Sequence, residues 1–288
     1  MIALITGASS GIGRAMALNF AKRGFNLILV ARRRDRLDEL KKEIAAFSDV
    51  RVKIICKDVS KVEECIDLHK LVQGVKIDVL VNNAGFGLYG KFTETSLETE
   101  LNMIDVNIKA VHVLTKLFIQ DFVKRDYGYL LNVASVAGYM AGPMQSTYYA
   151  SKSYVIQLTK AIYEELRQAK SNVSVSVLCP GPVQTDFNKV AGADFAEGGT
   201  KPDALAEYAI NGLFNHKLEI IPRAKIKATA FAAKVVPSKA MLWGAYNVQK
   251  ARGGSSASAS EAKETPVSEE IQEVDFDDLF DTDANGAE

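Results

Sequence analysis

Apolar residues run through this chain in short, nearly unbroken blocks. Each block is followed by a longer stretch in which apolar positions recur at helical spacing. The blocks are IALIT (2–6), FNLILVA (25–31), RVKIICKD (51–58), IDVLVNNAG (77–85), YLLNVAS (129–135), NVSVSVLCPG (172–181) and LEIIP (218–222). Between them the spacing predicts helices over about 12–22, 33–46, 61–73, 97–124, 148–169 and 202–214. Strands that are apolar throughout, rather than alternating, are buried on both faces. Strands separated by long helices need crossover connections, which are right-handed and give parallel pairing.

The pattern therefore predicts an α/β fold, a doubly wound, Rossmann-like parallel sheet in a single catalytic domain over residues 1–222. Ligands of such a sheet lie beyond the carboxyl ends of its strands. Gly7–Gly13, Arg32, Asp58, Asn82–Gly85, Ser135 and Pro180–Gly181 all fall there.

Composition changes the picture only at the C-terminus. From residue 253 onward the chain carries eleven acidic residues against Lys263 alone, a net −10, so its overall neutrality leaves +10 on the body. Low hydrophobicity with high charge predicts disorder for residues 253–288. Residues 223–252 read as a basic amphipathic helical extension. It is expected to pack over the substrate pocket or a neighbouring subunit, with peripheral contact to an anionic membrane through 220–252 as the alternative. Three cysteines make no CxxC pair, and Cys56 and Cys179 lie in apolar strand-like blocks where buried, reduced thiols are common. That usage predicts a reducing cytoplasmic setting; no block is long enough to span a bilayer, and no secretory signal is expected because Met1 leads straight into a strand that ends in the glycine loop. The three histidines have no helical metal-site spacing, so no metal is expected. The positive charge is not gathered around a nucleic-acid recognition motif, so no nucleic-acid partner is expected.

The candidate chemistry starts at TGASSGIG (6–13). Its glycines permit close backbone approach to a pyrophosphate, and the helix beginning near Ile12 points free N–H groups at it. Tyr148 and Lys152 stand four residues apart on a predicted helix and so share a face, with Ser135 thirteen residues before the tyrosine. An ammonium there favours the phenolate and is expected to lower the tyrosine pKa. Tyr149 falls three residues before Lys152 and reads as a pocket wall.

These pieces together resemble the short-chain dehydrogenase/reductase family. They are TGASSGIG, Asp58-Val59, NNAG (82–85), Asn107, Ser135, Tyr148-x-x-x-Lys152 and PGPVQT (180–185), in family order across residues 1–222. The resemblance implies a dinucleotide lined by Gly7, Ser9, Gly11, Ile12 and Gly13, with Asp58 and Val59 at the adenine. It places Asn82, Ala84 and Gly85 beside the adenosine ribose, and Pro180, Gly181, Val183 and Thr185 over the nicotinamide carboxamide. Tyr148 would be the general acid, Ser135 would bond the carbonyl oxygen, Lys152 would bond the nicotinamide ribose, and Asn107 would hold a water that links Lys152 to solvent.

The second block ends in Arg32-Arg33-Arg34 with no acid until Asp35. A site choosing NAD needs a carboxylate at that strand end, whereas a guanidinium clamps a 2′-phosphate. NADPH is the expected cofactor, with NADH left open. The expected function is interconversion of a ketone or aldehyde and an alcohol. A 3-oxoacyl thioester reductase shares every motif, and a non-catalytic nucleotide sensor is disfavoured because tyrosine and lysine are both kept. Phe86, Tyr89, Tyr139, Met140 and a flap from Phe187 to Phe195 predict an apolar pocket for a small carbonyl or alcohol substrate. The resemblance also implies a homodimer or homotetramer.

Overall fold

The computed structural model describes residues 1–185, 187, 191, 199–222 and 236–253. All seven apolar blocks form strands: β1 (Ile2–Thr6), β2 (Asn26–Ala31), β3 (Val52–Cys56), β4 (Val79–Asn82), β5 (Tyr129–Val133), β6 (Ser174–Leu178) and β7 (Glu219–Ile220). They make one sheet in the order β3-β2-β1-β4-β5-β6-β7 with every neighbouring pair parallel. The order reverses between β1 and β4, and the crevice at their carboxyl ends is where a doubly wound sheet takes its ligand.

Helices α1 (Gly11–Lys22), α2 (Arg34–Ala45) and α7 (Pro202–Phe214) cover one face, while α3 (Val62–Leu71) and α5 (Val111–Lys124) cover the other. Successive strand residues feed opposite cores: Ala3 and Ile5 pack with Phe20, Leu40 and Leu213, and Leu4 packs with Leu68, Leu114 and Phe118. Burial on both faces accounts for the unbroken apolar strands.

Three local features depart from the periodicity. Cys56 is exposed, whereas Cys65 and Cys179 are buried. It ends β3, the edge strand, which has a hydrogen-bonded neighbour on one side only. The helix expected over 97–124 is interrupted: α4 (Leu97–Ile104) and α5 flank a π-helical turn at Asp105–Ala110. The helix expected from 148 begins at Ser146, so α6 (Ser146–Gln168) carries Tyr148 in its first turn.

Helix α8 (Ser238–Gly253) follows Pro237. The rest of the expected basic run, 223–235, and the acidic segment 254–288 lie outside the described residues, as do most of the 187–195 flap positions. Among the described residues no helix is long and apolar enough to cross a membrane.

Candidate active site

The loops after β1 and β4 are tied together at the switch point. The Thr6 hydroxyl accepts from the backbone N–H groups of Asn83 and Ala84 at 3.0 and 3.1 Å, and Asn83 Nδ2 donates to Thr6 O and Gly7 O at 3.0 and 3.2 Å. Gly7 has φ +64°, and a Cβ there would lie 2.8 Å from Ala84 Cα. A Cβ on Gly13 would collide with Gly7 O and Asn83 Nδ2. A Cβ on Gly11 would sit 3.3 Å from Thr185 Cγ2, so the loop after β6 arches over the turn that opens α1. The result is a glycine-walled cradle at a helix N-terminus, which suits a pyrophosphate. Asn83 is the residue of NNAG that holds this cradle shut, a role its neighbours' motif positions do not show.

At the end of β2 the guanidinium that reaches the cradle belongs to Arg33. Its Nη2 donates to Ser9 Oγ and Ser10 Oγ at 3.0 and 2.9 Å. Arg32 points outward and lies 3.8 Å from Asp58, whose Oδ1 caps the N–H of Ser60 at 3.0 Å. Val59 is buried in the core beside Cys65. Arg33, one residue beyond Arg32, is thus the member of the Arg-Arg-Arg run that bonds the serines of the turn.

The catalytic candidates converge beyond β5. Ser135 caps the 3₁₀ turn Val136–Tyr139: its Oγ accepts from Ala137 N at 3.2 Å and faces Pro180 O at 3.5 Å. It also hydrogen-bonds the Tyr148 side chain. Close packing of that turn on α6 depends on Gly138, where a Cβ would lie 2.6 Å from the backbone C and O of Lys152.

Tyr148 and Lys152 are both buried. Burial raises the Tyr148 pKa to about 12, opposed by the Ser135 hydrogen bond, and lowers that of Lys152 to about 8. This differs from the expected depression of the phenol by the ammonium. Lys152 Nζ donates to Val133 O at 3.1 Å and lies 5.8 Å from the Tyr148 ring centroid, so desolvation outweighs attraction.

Gly85 admits the lysine: a Cβ there would be 2.9 Å from Asn107 Oδ1 and 3.2 Å from Lys152 Nζ. Asn107 sits fully buried in the π-helical turn. Its amide donates to Phe86 O and Ser151 Oγ at 2.9 and 3.1 Å and accepts from Phe86 N at 3.1 Å, bracing the β4 loop against α6.

Tyr149 packs beside the Tyr148 ring, and its hydroxyl is directed to α8. Its ring stands over Gly142, and its hydroxyl accepts from Gln249 Nε2 at 2.8 Å. On the substrate side Tyr148 packs with Met103, Phe86, Leu88 and Phe187, the last at 5.5 Å between ring centroids. Gly181 and Val183 follow Pro180 in the loop that reaches Thr185, with Val183 bridged to Thr200. Among the described residues no cluster of His, Cys, Asp and Glu is arranged to hold a metal. Two histidines are engaged elsewhere, His69 with Asp121 at 2.6 Å and His112 with Tyr154 at 2.7 Å.

A parallel sheet with a glycine cradle at its switch point and a Ser-Tyr-Lys group beside it defines a nucleotide-dependent oxidoreductase site. Residues 1–195 match the family model for short chain dehydrogenase, and the chain belongs to that family of NAD(P)-dependent CH–OH/C=O oxidoreductases. It is similar to a very-long-chain 3-oxoacyl-CoA reductase of Mycosarcoma maydis, 37% identical over 193 residues. Those residues are 65% of this chain and 55% of the relative, so the match spans about half that protein's length. Among solved structures, a short-chain dehydrogenase from Sphingobium yanoikuyae in complex with NADPH superposes with TM-score 0.75 at 28% identity, over 92% of this chain and 98% of the other. A short chain dehydrogenase/reductase from Burkholderia phymatum in complex with NAD gives 0.73 at 27% identity, over 80% and 91%.

Proposed function

We propose that the protein is an NADPH-preferring carbonyl reductase in which Tyr148 is the general acid. The observation that carries this reading is the convergence of Ser135, Tyr148 and Lys152 next to the glycine cradle. The residues present fit a dinucleotide. Gly7, Ser9, Gly11, Ile12 and Gly13 would hold its pyrophosphate, and Arg33, with Arg32 nearby, its 2′-phosphate. Asp58 and Val59 would border the adenine, Asn82, Ala84 and Gly85 the adenosine ribose, and Pro180 through Thr185 the nicotinamide. When bound, that cofactor supplies the hydride delivered to the carbonyl carbon.

The chain's own residues manage the proton. With its pKa raised to about 12, the Tyr148 phenol is fully protonated at neutral pH, the form needed to donate to a carbonyl oxygen. Ser135 would bond the same oxygen and fix its direction. As the proton leaves, the Lys152 ammonium stabilises the phenolate left behind. Asn107 keeps Lys152 and the β4 loop in register.

The apolar wall around Tyr148 supports an apolar ketone or aldehyde, and similarity to the 3-oxoacyl-CoA reductase supports a 3-oxoacyl thioester as the second reading. Leu97 on α4 and Tyr154 on α6 are exposed apolar positions that support assembly of identical subunits. The test is oxidation of NADPH and of NADH across a panel of ketones, aldehydes and 3-oxoacyl thioesters. Carbonyl-dependent loss of NADPH absorbance in preference to NADH is expected. No carbonyl-dependent oxidation of either nucleotide would overturn the reading.

A further inference from the structure

Helix α8 lies beyond the residues that match the family model and is attached in an unusual way. Its apolar residues Leu242, Trp243, Tyr246 and Val248 are exposed, Trp243 at 75%, while Gln249 is 2% exposed. The inward face of the helix carries the half-buried Met241 and Ala245 with Gln249 as its fully buried residue, so its attachment includes directed hydrogen bonds from an amide.

Gln249 makes those bonds to the substrate side of the candidate site. Its Nε2 donates to the Tyr149 hydroxyl at 2.8 Å and to Gln145 Oε1 at 3.3 Å, and its backbone carbonyl accepts from the Tyr89 hydroxyl at 2.8 Å. Tyr149 is the immediate neighbour of Tyr148, and the two rings meet edge to face at 6.1 Å. Tyr89 N donates to Ala191 O at 2.9 Å, and Phe187 packs against Tyr148. One residue of α8 therefore ties together the loop after β4 and the start of α6. None of these bonds reaches the glycine cradle.

We propose that Gln249 is a positioning residue, bracing Tyr89 and Tyr149 so that the wall beside Tyr148 keeps the shape that binds the carbonyl substrate. The inference rests on the proposed reductase reading. It assigns substrate affinity, and not nucleotide affinity, to a residue distant in sequence from every motif of the site.

The test compares full-length wild type with Gln249→Leu and Gln249→Glu, using the best carbonyl substrate of the panel. Gln249→Leu removes two neutral hydrogen bonds, so KM should rise about tenfold while kcat and the Kd for NADPH hold. Gln249→Glu reverses both bonds, its carboxylate accepting from the Tyr149 hydroxyl and from a reoriented Gln145 amide, and should recover most of the affinity. Trp243 is the single tryptophan of the chain and sits on α8, so its fluorescence anisotropy should fall in Gln249→Leu and return in Gln249→Glu.

If Gln249→Leu does not fold, Tyr89→Phe deletes the bond to the Gln249 carbonyl and must raise KM in the same direction. An unchanged KM overturns the proposal, as does a joint loss of kcat, nucleotide affinity and melting temperature that Gln249→Glu does not reverse. A wild type with no carbonyl-dependent turnover overturns the reductase reading and this inference with it. An active wild type matched by Gln249→Leu overturns this inference alone.

Discussion

Gly138 is where a single methyl group should separate fold from chemistry. It lies in the turn that Ser135 caps, and a Cβ there would be 2.6 Å from the backbone carbon and oxygen of Lys152 and from Ile156 Cδ1. Ordinary carbon contacts need roughly 3.5–4 Å, so Gly138→Ala demands a displacement of about 1 Å. The α6 backbone is tied into its own hydrogen-bond ladder, so the turn is the part that yields. Overpacking of this kind costs about 1–3 kcal/mol of stability, or a fall in melting temperature of roughly 2–12 °C for a domain of this size. Ser135 moves with the turn, and a misplacement of about 1 Å at a reacting centre lowers turnover by about a hundredfold. The glycine cradle is not part of the turn, so nucleotide affinity should be unchanged. The assay is steady-state reduction of the best carbonyl substrate, with nucleotide titration and thermal melting on the same preparation. Wild-type kcat at an unchanged melting temperature would refute the claim that contact between this turn and α6 sets the position of Ser135.

Three other substitutions address electrostatics. Arg33→Ala removes the guanidinium held by Ser9 and Ser10, and should weaken NADPH binding by about 10- to 100-fold while leaving NADH binding nearly unchanged. Arg32→Ala should do less, and equal losses for both nucleotides would contradict the assignment. Lys152→Met bears on linkage. The native lysine has its pKa lowered from 10.5 to about 8, so between those values the unfolded state binds more protons and wild-type stability rises with pH. Below pH 8 the buried ammonium costs about 3 kcal/mol; allowing about 1 kcal/mol for the lost bond to Val133 O, the inactive variant should be about 2 kcal/mol more stable at pH 7. That advantage should fade as pH rises from about 8 towards 10.5, and an advantage independent of pH would contradict the native pKa.

The strands and most of the helices were legible in the apolar blocks because strands buried on both faces carry few polar positions, such as Asn132, Ser174 and Ser176, to interrupt the pattern. The edge escaped. Nothing in RVKIICKD marks β3 as outermost, so Cys56 reads like Cys179 although it is exposed. The π-helical turn around Asn107 also escaped, since one extra residue in a helical turn leaves the spacing of its neighbours almost unaltered.

In the site, local spacing placed Ser135, Tyr148 and Lys152 together, and Tyr149 was separated from Tyr148 by register alone. Choosing among Arg32, Arg33 and Arg34 was beyond spacing, because side-chain direction at a strand-to-helix corner depends on the corner. Asn83 and Gln249 act through contacts made across the fold, 77 and 100 residues along the chain from Thr6 and Tyr149. Gln249 belongs to no sequence pattern. The electrostatic expectation erred for a related reason: spacing revealed that the phenol and the ammonium share a face, but not that both are buried enough for desolvation to prevail.

The assignment of Tyr148 as proton donor is tested most directly by Tyr148→Phe. The substitution removes one hydroxyl and keeps the ring against Phe187, so fold and nucleotide affinity should match wild type. Carbonyl-dependent oxidation of NADPH should fall by at least about a thousandfold, within the range expected for loss of a positioned acid. Turnover near wild type, with the nucleotide bound normally, would contradict the account.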